Sequence, residues 1–306
     1  GAGGLVKQGE GTLTLTGANS YTGGTIIEQG VLRLGNGGTS GSILGDVFTD
    51  GTLAFDRSDV VTFAGEVSGT GGVHQIGTGL TVLTADSANL SGLSRVDAGV
   101  LAVNGALGGA IEVRGGRLQG VGRVGTTTNG PAGTIAPGNA IGTLTIDGDY
   151  IGNGGTLEIE TVLGDDSSQT DRLIVSGDTS GTTKLRVINV GGAGAQTDEG
   201  IRIVEVGGAS NGSFRLLGNY QFHGDAALIQ GAYAYRLYQG SMTAPMDGDW
   251  YLRSDLRDTV DPTDPTDPTD PTDPVDPTDP EPPVIPIFQP GAPIYEVYSA
   301  LLQSAN

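Results

Sequence analysis

The sequence predicts an all-β chain: a right-handed parallel β-helix, or solenoid, closed by an aromatic-rich C-terminal cap and followed by a Pro-rich linker. Three observations carry that expectation. In residues 9–35, GEGTLTLTGANSYTGGTIIEQGVLRLG, side chains alternate at period two in TLTLTG and VLRLG, while Gly17, Asn19, Gly23, Gly24, Gly30 and Gly35 supply turns. A Gly followed by one residue and then an aliphatic recurs at Gly30-Val31-Leu32, Gly51-Thr52-Leu53, Gly99-Val100-Leu101, Gly116-Arg117-Leu118, Gly133-Thr134-Ile135 and Gly155-Thr156-Leu157. The gaps of 21, 48, 17, 17 and 22 residues read as about one coil each, the 48 counting as two. Helical spacing of apolar residues is interrupted by Gly or Pro in every window before the extreme C-terminus.

Residues 1–133 carry the repeats. GTGLTVLTADSANLSGLSRVDAGVLAVNG (77–105) aligns under residues 9–35, Gly9 with Gly77, Leu15 with Leu83, Tyr21 with Leu90 and Gly30-Val31-Leu32 with Gly99-Val100-Leu101. The offset is 68, rising to 69 after one inserted residue. Coils of this kind bury inward aliphatics by stacking on one another, so the repeat needs neighbours to be stable.

From 134 to 256 the strands lengthen and aromatics gather: Tyr220, Phe222, Tyr233, Tyr235, Tyr238, Trp250 and Tyr251 fall within about thirty residues. The end of a solenoid exposes a bare apolar cross-section and unpaired strand edges, and bulky rings cover such a surface efficiently. Leu144, Tyr150, Leu157, Tyr220, Tyr235 and Trp250 are the expected residues of this cap and of a folding nucleus built on it. Residues 257–283 follow as an Asp/Pro/Thr-rich linker, DPTDPTDPTDPTDPVDPTDPEPP, in which Pro at every third position favours extended polyproline II. At about 3.1 Å per residue it could span roughly 70 Å. Residues 284–306 form a junction ending in IYEVYSALLQS, the one stretch with helix-like spacing.

Composition sets limits on function. With 306 residues, 55 Gly and 5% aromatics, the chain can bury a long thin core rather than a broad one. Net charge is −20; upstream of Asp261 there remain 26 acids against 15 bases, a surface with little attraction for nucleic acid or anionic membrane. Cysteine is absent, so stability must come from stacked coils, and a chain without disulfides can cross a narrow pore unfolded. No secretory leader and no apolar run near 18 residues is visible, and residue 1 falls inside a repeat, as in a fragment of a longer chain.

Candidate chemistry is thin. His74 and His223 lie far apart in strand-like contexts and read as structural or surface histidines. GDDSSQTDR (164–172) crowds Asp165, Asp166 and Asp171 near two serines, but lacks the alternate-ligand spacing of a calcium loop and reads as a solvated turn. Gly-rich stretches such as GVGRVG have no helix to follow them, so no phosphate cradle is expected, and no Gly-x-Ser-x-Gly elbow occurs. No catalytic residue, metal site or cofactor is expected.

At these residues a family resemblance emerges. GEGTLTLTGANSYTGGTIIEQGVLRLG resembles the passenger-associated transport repeat of bacterial autotransporters (type V secretion). Residues 136–187, APGNAIGTLTIDGDYIGNGGTLEIETVLGDDSSQTDRLIVSGDTSGTTKLRV, resemble the pertactin-like autochaperone module. The shared pattern is Pro137-Gly138, Gly142-Thr143-Leu144, Gly148-Asp149-Tyr150, Gly155-Thr156-Leu157-Glu158 and then Asp171, Leu173, Val175 and Gly177; Ala140 stands where the family commonly has Ser. APIYEVYSALL is similar to the segment leading into the translocator barrel. The resemblance implies a passenger threaded through its own barrel, C-terminal part first, with 134–256 nucleating folding and 1–133 laid on it. It further implies a non-enzymatic stalk of a cell-surface adhesin or virulence factor, monomeric and tethered at the outer membrane. Its partners would be its own translocator barrel, the outer-membrane assembly machinery and a host cell-surface or matrix receptor. The competing expectation is a carbohydrate-active β-helix enzyme, which would need carboxylates converging on neighbouring coils.

Overall fold

The computed structural model describes residues 1–257, which make one compact unit; the expected linker past Arg257 and the junction 284–306 lie outside the described residues. Those residues hold 29 strands and no helix, arranged as a parallel β-solenoid of about eight turns. Each full coil contributes a strand to each of three parallel columns, so a coil reads strand, turn, strand, turn, strand, turn.

The first column runs through Thr12–Leu15, Val31–Leu34, Thr52–Phe55, Gly72–Gln75, Leu93–Val96, Ala110–Val113 and Thr127–Asn129. The second runs through Val60–Phe63, Leu80–Leu83, Val100–Val103, Arg117–Gly120 and Thr134–Pro137. The third begins with Leu5–Lys7, Thr25–Ile27, Val47–Thr49 and Val67–Ser68 and resumes at Asp86–Ser87, where Ser87 Oγ accepts from the Val67 amide at 2.9 Å. It continues through Ala106–Leu107, Arg123–Val124, Thr143–Ile146, Arg172–Val175 and Ile201–Val206. The long strands Tyr150–Thr161 and Thr179–Asn189 turn the corner between the first two columns, pairing with both.

Register explains why the Gly-x-aliphatic signal recurs. In the second column Leu101, Leu118, Ile135, Leu157, Leu185 and Leu216 are successive cross-strand partners, all buried, so one aliphatic per coil stacks on the next. Each such side chain contributes about 1.5–3 kcal/mol by leaving water. In the first column Leu32, Leu53 and Val73 stack in the same way. The glycines beside them are dictated by proximity. A Cβ at Gly125 would overlap the Gly109 carbonyl oxygen of the coil beneath, so coils can pack backbone to backbone only where that atom is missing.

The column assignment corrects the count of the 48-residue gap. Leu53 lies in the first column and Leu101 in the second, so the gap is two coils and one further step to the next column. The same holds for the 68-residue repeat. Thr12–Leu15 sits in the first column, three coils carry that column to Gly72, and eight more residues reach Leu80 in the second. In each copy the early strands receive the late ones as parallel partners, Leu5–Lys7 with Thr25–Ile27 and Thr12–Leu15 with Val31–Leu34 in the first, Gly72–Gln75 with Leu93–Val96 and Leu80–Leu83 with Val100–Val103 in the second. The repeat is thus a coil that stacks on itself, and its second copy is rotated by one column.

Candidate functional site

The C-terminal end differs from the coils in strand direction. Ile201–Val206 ends the parallel run of the third column, and Trp250–Leu256 returns antiparallel to it. Tyr233–Gln239, Asp225–Gln230 and Tyr220–Phe222 add three more antiparallel strands. This reversal covers the parallel edge of the third column, and that sheet now ends on a three-residue strand that offers little template for further pairing.

The expected cap residues divide in two. Leu144, Tyr150, Leu157, Tyr235 and Trp250 are buried within one continuous apolar cluster that also contains the coil aliphatics. Tyr220 is 47% exposed and stands outside it. The buried rings form a stack in which Phe214 is the middle member: its ring lies 5.8 Å from Tyr150 and nearly parallel to it, and 5.2 Å from Trp250 edge to face. Phe214 was missed in the sequence; its one signal is the alternation of Ser213–Leu216, which places it inward beside Leu216.

Burial of a phenol demands partners for its hydroxyl. Tyr150 Oη accepts from Asn129 Nδ2 at 3.3 Å and lies 2.7 Å from Thr183 Oγ1, so the last coil, the corner strand and the strand above it meet at one ring. Burial pushes the Tyr150 hydroxyl above its ordinary pKa, which keeps it neutral. Tyr235 ties segments more distant in sequence: its hydroxyl accepts from the Ala195 amide at 2.9 Å and faces the carbonyls of Gly164 (2.8 Å) and Ala195 (3.0 Å). Ser254 and Thr197 exchange backbone amide to hydroxyl bonds at 2.8 and 2.9 Å, which fixes the returning strand against the loop before Ile201.

The acidic loop around 164–172 proves to be made of backbone ties. Asp165 binds the amide and hydroxyl of its own Ser167, and Asp166 accepts from the amides of Asp198, Glu199 and Gly200. Asp171 is buried and accepts from the amides of Gly142 (2.8 Å) and Glu160 (2.7 Å); burial outweighs these bonds and pushes its pKa up to about 6. Asp249 plays a similar part, taking the Val206 amide at 2.8 Å and Arg202 at 3.2 Å. His74 rests beside Arg95, and burial with that guanidinium lowers its pKa. Among the described residues no three His, Asp or Glu side chains are grouped to hold a metal.

Outside the sheet a second device stabilises the antiparallel strands. Arg236 stacks between Phe222 and Tyr238, and Arg253 between Tyr238 and Tyr251, at 4.8–5.8 Å from the ring centres. Arg236 and Arg253 are direct cross-strand partners, and their mutual repulsion is offset by these rings and by Asp225 and Asp255.

Comparison with known proteins agrees with this anatomy. Residues 128–237 match the type 1 autochaperone domain, and residues 5–34 and 73–103 match the passenger-associated transport repeat. Over its whole length the chain is 44% identical to a Brucella suis protein, the adhesin BmaC autotransporter, of which it spans 9%. Over 80% of its length it is 35% identical to the probable autotransporter YfaL of Escherichia coli K12, of which it spans 17%. Over 37% it is 37% identical to the autotransporter adhesin AIDA-I of Escherichia coli, of which it spans 8%. The chain therefore corresponds to a small part of each of these relatives.

Proposed function

Because this chain is a stretch of autotransporter passenger, with transport repeats at 5–34 and 73–103 and a type 1 autochaperone domain at 128–237, we propose that residues 134–256 are the folding nucleus of that passenger and residues 1–133 the first coils laid on it. One observation carries the proposal: the third column is closed at its C-terminal end by antiparallel strands, and rings pack beneath the last parallel strand Ser213–Leu216, whereas the N-terminal coils end in plain parallel strands. Each arriving coil gains backbone bonds to the coil below and buries its aliphatics there, and that gain biases an emerging chain against sliding back. The nucleus residues are Leu144, Tyr150, Leu157, Tyr235 and Trp250, with Phe214 between the rings.

The role is structural, a non-enzymatic stalk displayed outside the outer membrane and joined to its own translocator barrel, after handling by the outer-membrane assembly machinery. Likeness to two proteins called adhesins supports a host-surface or matrix receptor as partner of the whole protein. The test is deletion of 134–256 from the intact protein: the remaining coils should become protease-sensitive, whereas equally resistant coils would sink the proposal.

A further inference from the structure

The repeats and the nucleus leave one feature unused. A cleft of about 670 Å³ opens where the last parallel strand, Ser213–Leu216, meets the antiparallel strand Tyr220–Phe222. Its walls carry Lys184, Arg215, Asn219, Tyr220 and Gln221 over a floor that includes Leu216 and Ala226.

Charge marks it out. Lys184 and Arg215 are direct partners in the parallel register, both exposed, about 4.8 Å apart at the backbone. Neither has an acidic partner or a hydrogen bond among the described residues. Many of the other cations are neutralised: Glu158 lies between Arg117 and Arg186, Asp147 takes Arg123, and the facing pair Arg236 and Arg253 is held by rings, with Asp225 and Asp255 on Arg236. Like charges on neighbouring strands destabilise a sheet. In a chain of net charge −20 an acid at either position would relieve the strain at once, yet both positions are cationic. A cavity among the coils beside Arg123 shows the ordinary outcome, since its one cation is already bound to Asp147 by two bonds of 2.6 Å.

We propose that this cleft binds an anionic oligosaccharide, one bearing carboxylate or sulfate groups. Two adjacent cations receive the anionic group. The exposed ring of Tyr220 offers an apolar plate for the C–H face of a sugar, and the side-chain amides of Asn219 and Gln221 offer donors to its hydroxyls; Asn219 keeps its amide nitrogen free because its oxygen already takes the Ile229 amide at 3.2 Å. The volume suits a few sugar rings. An acidic peptide would satisfy the cations but would leave the plate without a matching flat face. The inference concerns a surface site and does not depend on which residues nucleate folding.

The test is titration calorimetry of the full 306-residue chain with a heparin-derived tetrasaccharide, with tetragalacturonate and with neutral maltotetraose. Binding of either acidic sugar and not the neutral one is expected. Arg215→Ala with Lys184→Ala should weaken it at least tenfold, Tyr220→Ala several-fold, and Arg123→Ala should leave it unchanged. Lys184→Glu gives the decisive variant: it should abolish binding while the melting temperature stays equal or rises, because the new acid pairs with Arg215. No binding, equal binding of maltotetraose, or insensitivity to the two cations would overturn the proposal. So would stronger binding by a peptide of residues 261–283, which would place an acidic polypeptide in the cleft instead.

Discussion

In the coils before Thr143, parallel partners are 16 to 23 residues apart and strands run two to four residues; from Thr143 onward, partners are 28 to 31 apart and two strands reach 11 and 12 residues. The coils hold themselves through bonds to the next coil, as with Leu118 on Leu101 and Ile135 on Leu118. The C-terminal region adds side-chain ties between segments distant in sequence, Tyr235 to Gly164 and Ala195 and Ser254 to Thr197, and Tyr150 bonds to both of its neighbouring strands through Asn129 and Thr183. A solenoid built of nearest-neighbour contacts loses stability piece by piece, whereas a region bound by ties between distant segments opens as a whole. The proposed seed is of the second kind.

The largest effect should come from the ring that joins the two regions. Tyr150→Ala removes a fully buried ring and leaves Asn129 and Thr183 facing a hole, a loss of about 3–5 kcal/mol. Denaturant melts should show both regions opening together, while Leu101→Ala should loosen the coils and leave the C-terminal region intact; if Tyr150→Ala spares the C-terminal strands, the comparison breaks.

Asp171 sharpens the contrast through pH. Its folded pKa, about 6, lies above the ordinary carboxylate value near 4, so the folded state holds the proton more tightly. The stability it contributes is full below about pH 4 and is lost as pH rises through 6, on the order of 3 kcal/mol. Melts of Asp171→Asn should be flat across that window where the parent chain declines; a parent chain that gains stability from pH 4 to 6 by way of Asp171 would contradict the assignment.

Gly125→Ala should cost about 1–3 kcal/mol, because a Cβ there meets the Gly109 carbonyl and must push two coils apart. Protease cleavage should then appear in the coils rather than beyond Thr143. The smallest effect belongs to the exposed pair Arg123–Asp147, where Arg123→Ala should change stability by about 0–1 kcal/mol. A larger loss in a thermal melt would mean that coil-to-coil ion pairs matter more than stacked aliphatics.

Much of this was readable from residues. Gly-x-aliphatic marks coincide with the inward ladder, and turn glycines coincide with coil corners, because both patterns express requirements that act within one coil. Column identity was not readable. Leu53 and Leu101 carry the same signal in different columns, since all three columns demand the same alternating strand and the step between them is a short turn that a repeat count absorbs. The aromatic cluster was visible, but its sides were not: Tyr220 and Phe222 are two residues apart, and the one is exposed while the other is buried. The acidic run at 165–171 could be read only by type, because its role lies in which distant amides each carboxylate reaches.

If the C-terminal region is the seed on which the coils stack, it must also be the most stable part of the molecule. Native-state hydrogen exchange of the full chain, followed across increasing denaturant, reads this directly. Amides of Thr143–Ile146, Tyr150–Thr161, Arg172–Val175 and Trp250–Leu256 should exchange last, at the free energy of global unfolding, with Leu5–Lys7 and Thr12–Leu15 opening first. Equal protection along the chain, or greatest protection in the N-terminal coils, would contradict the account.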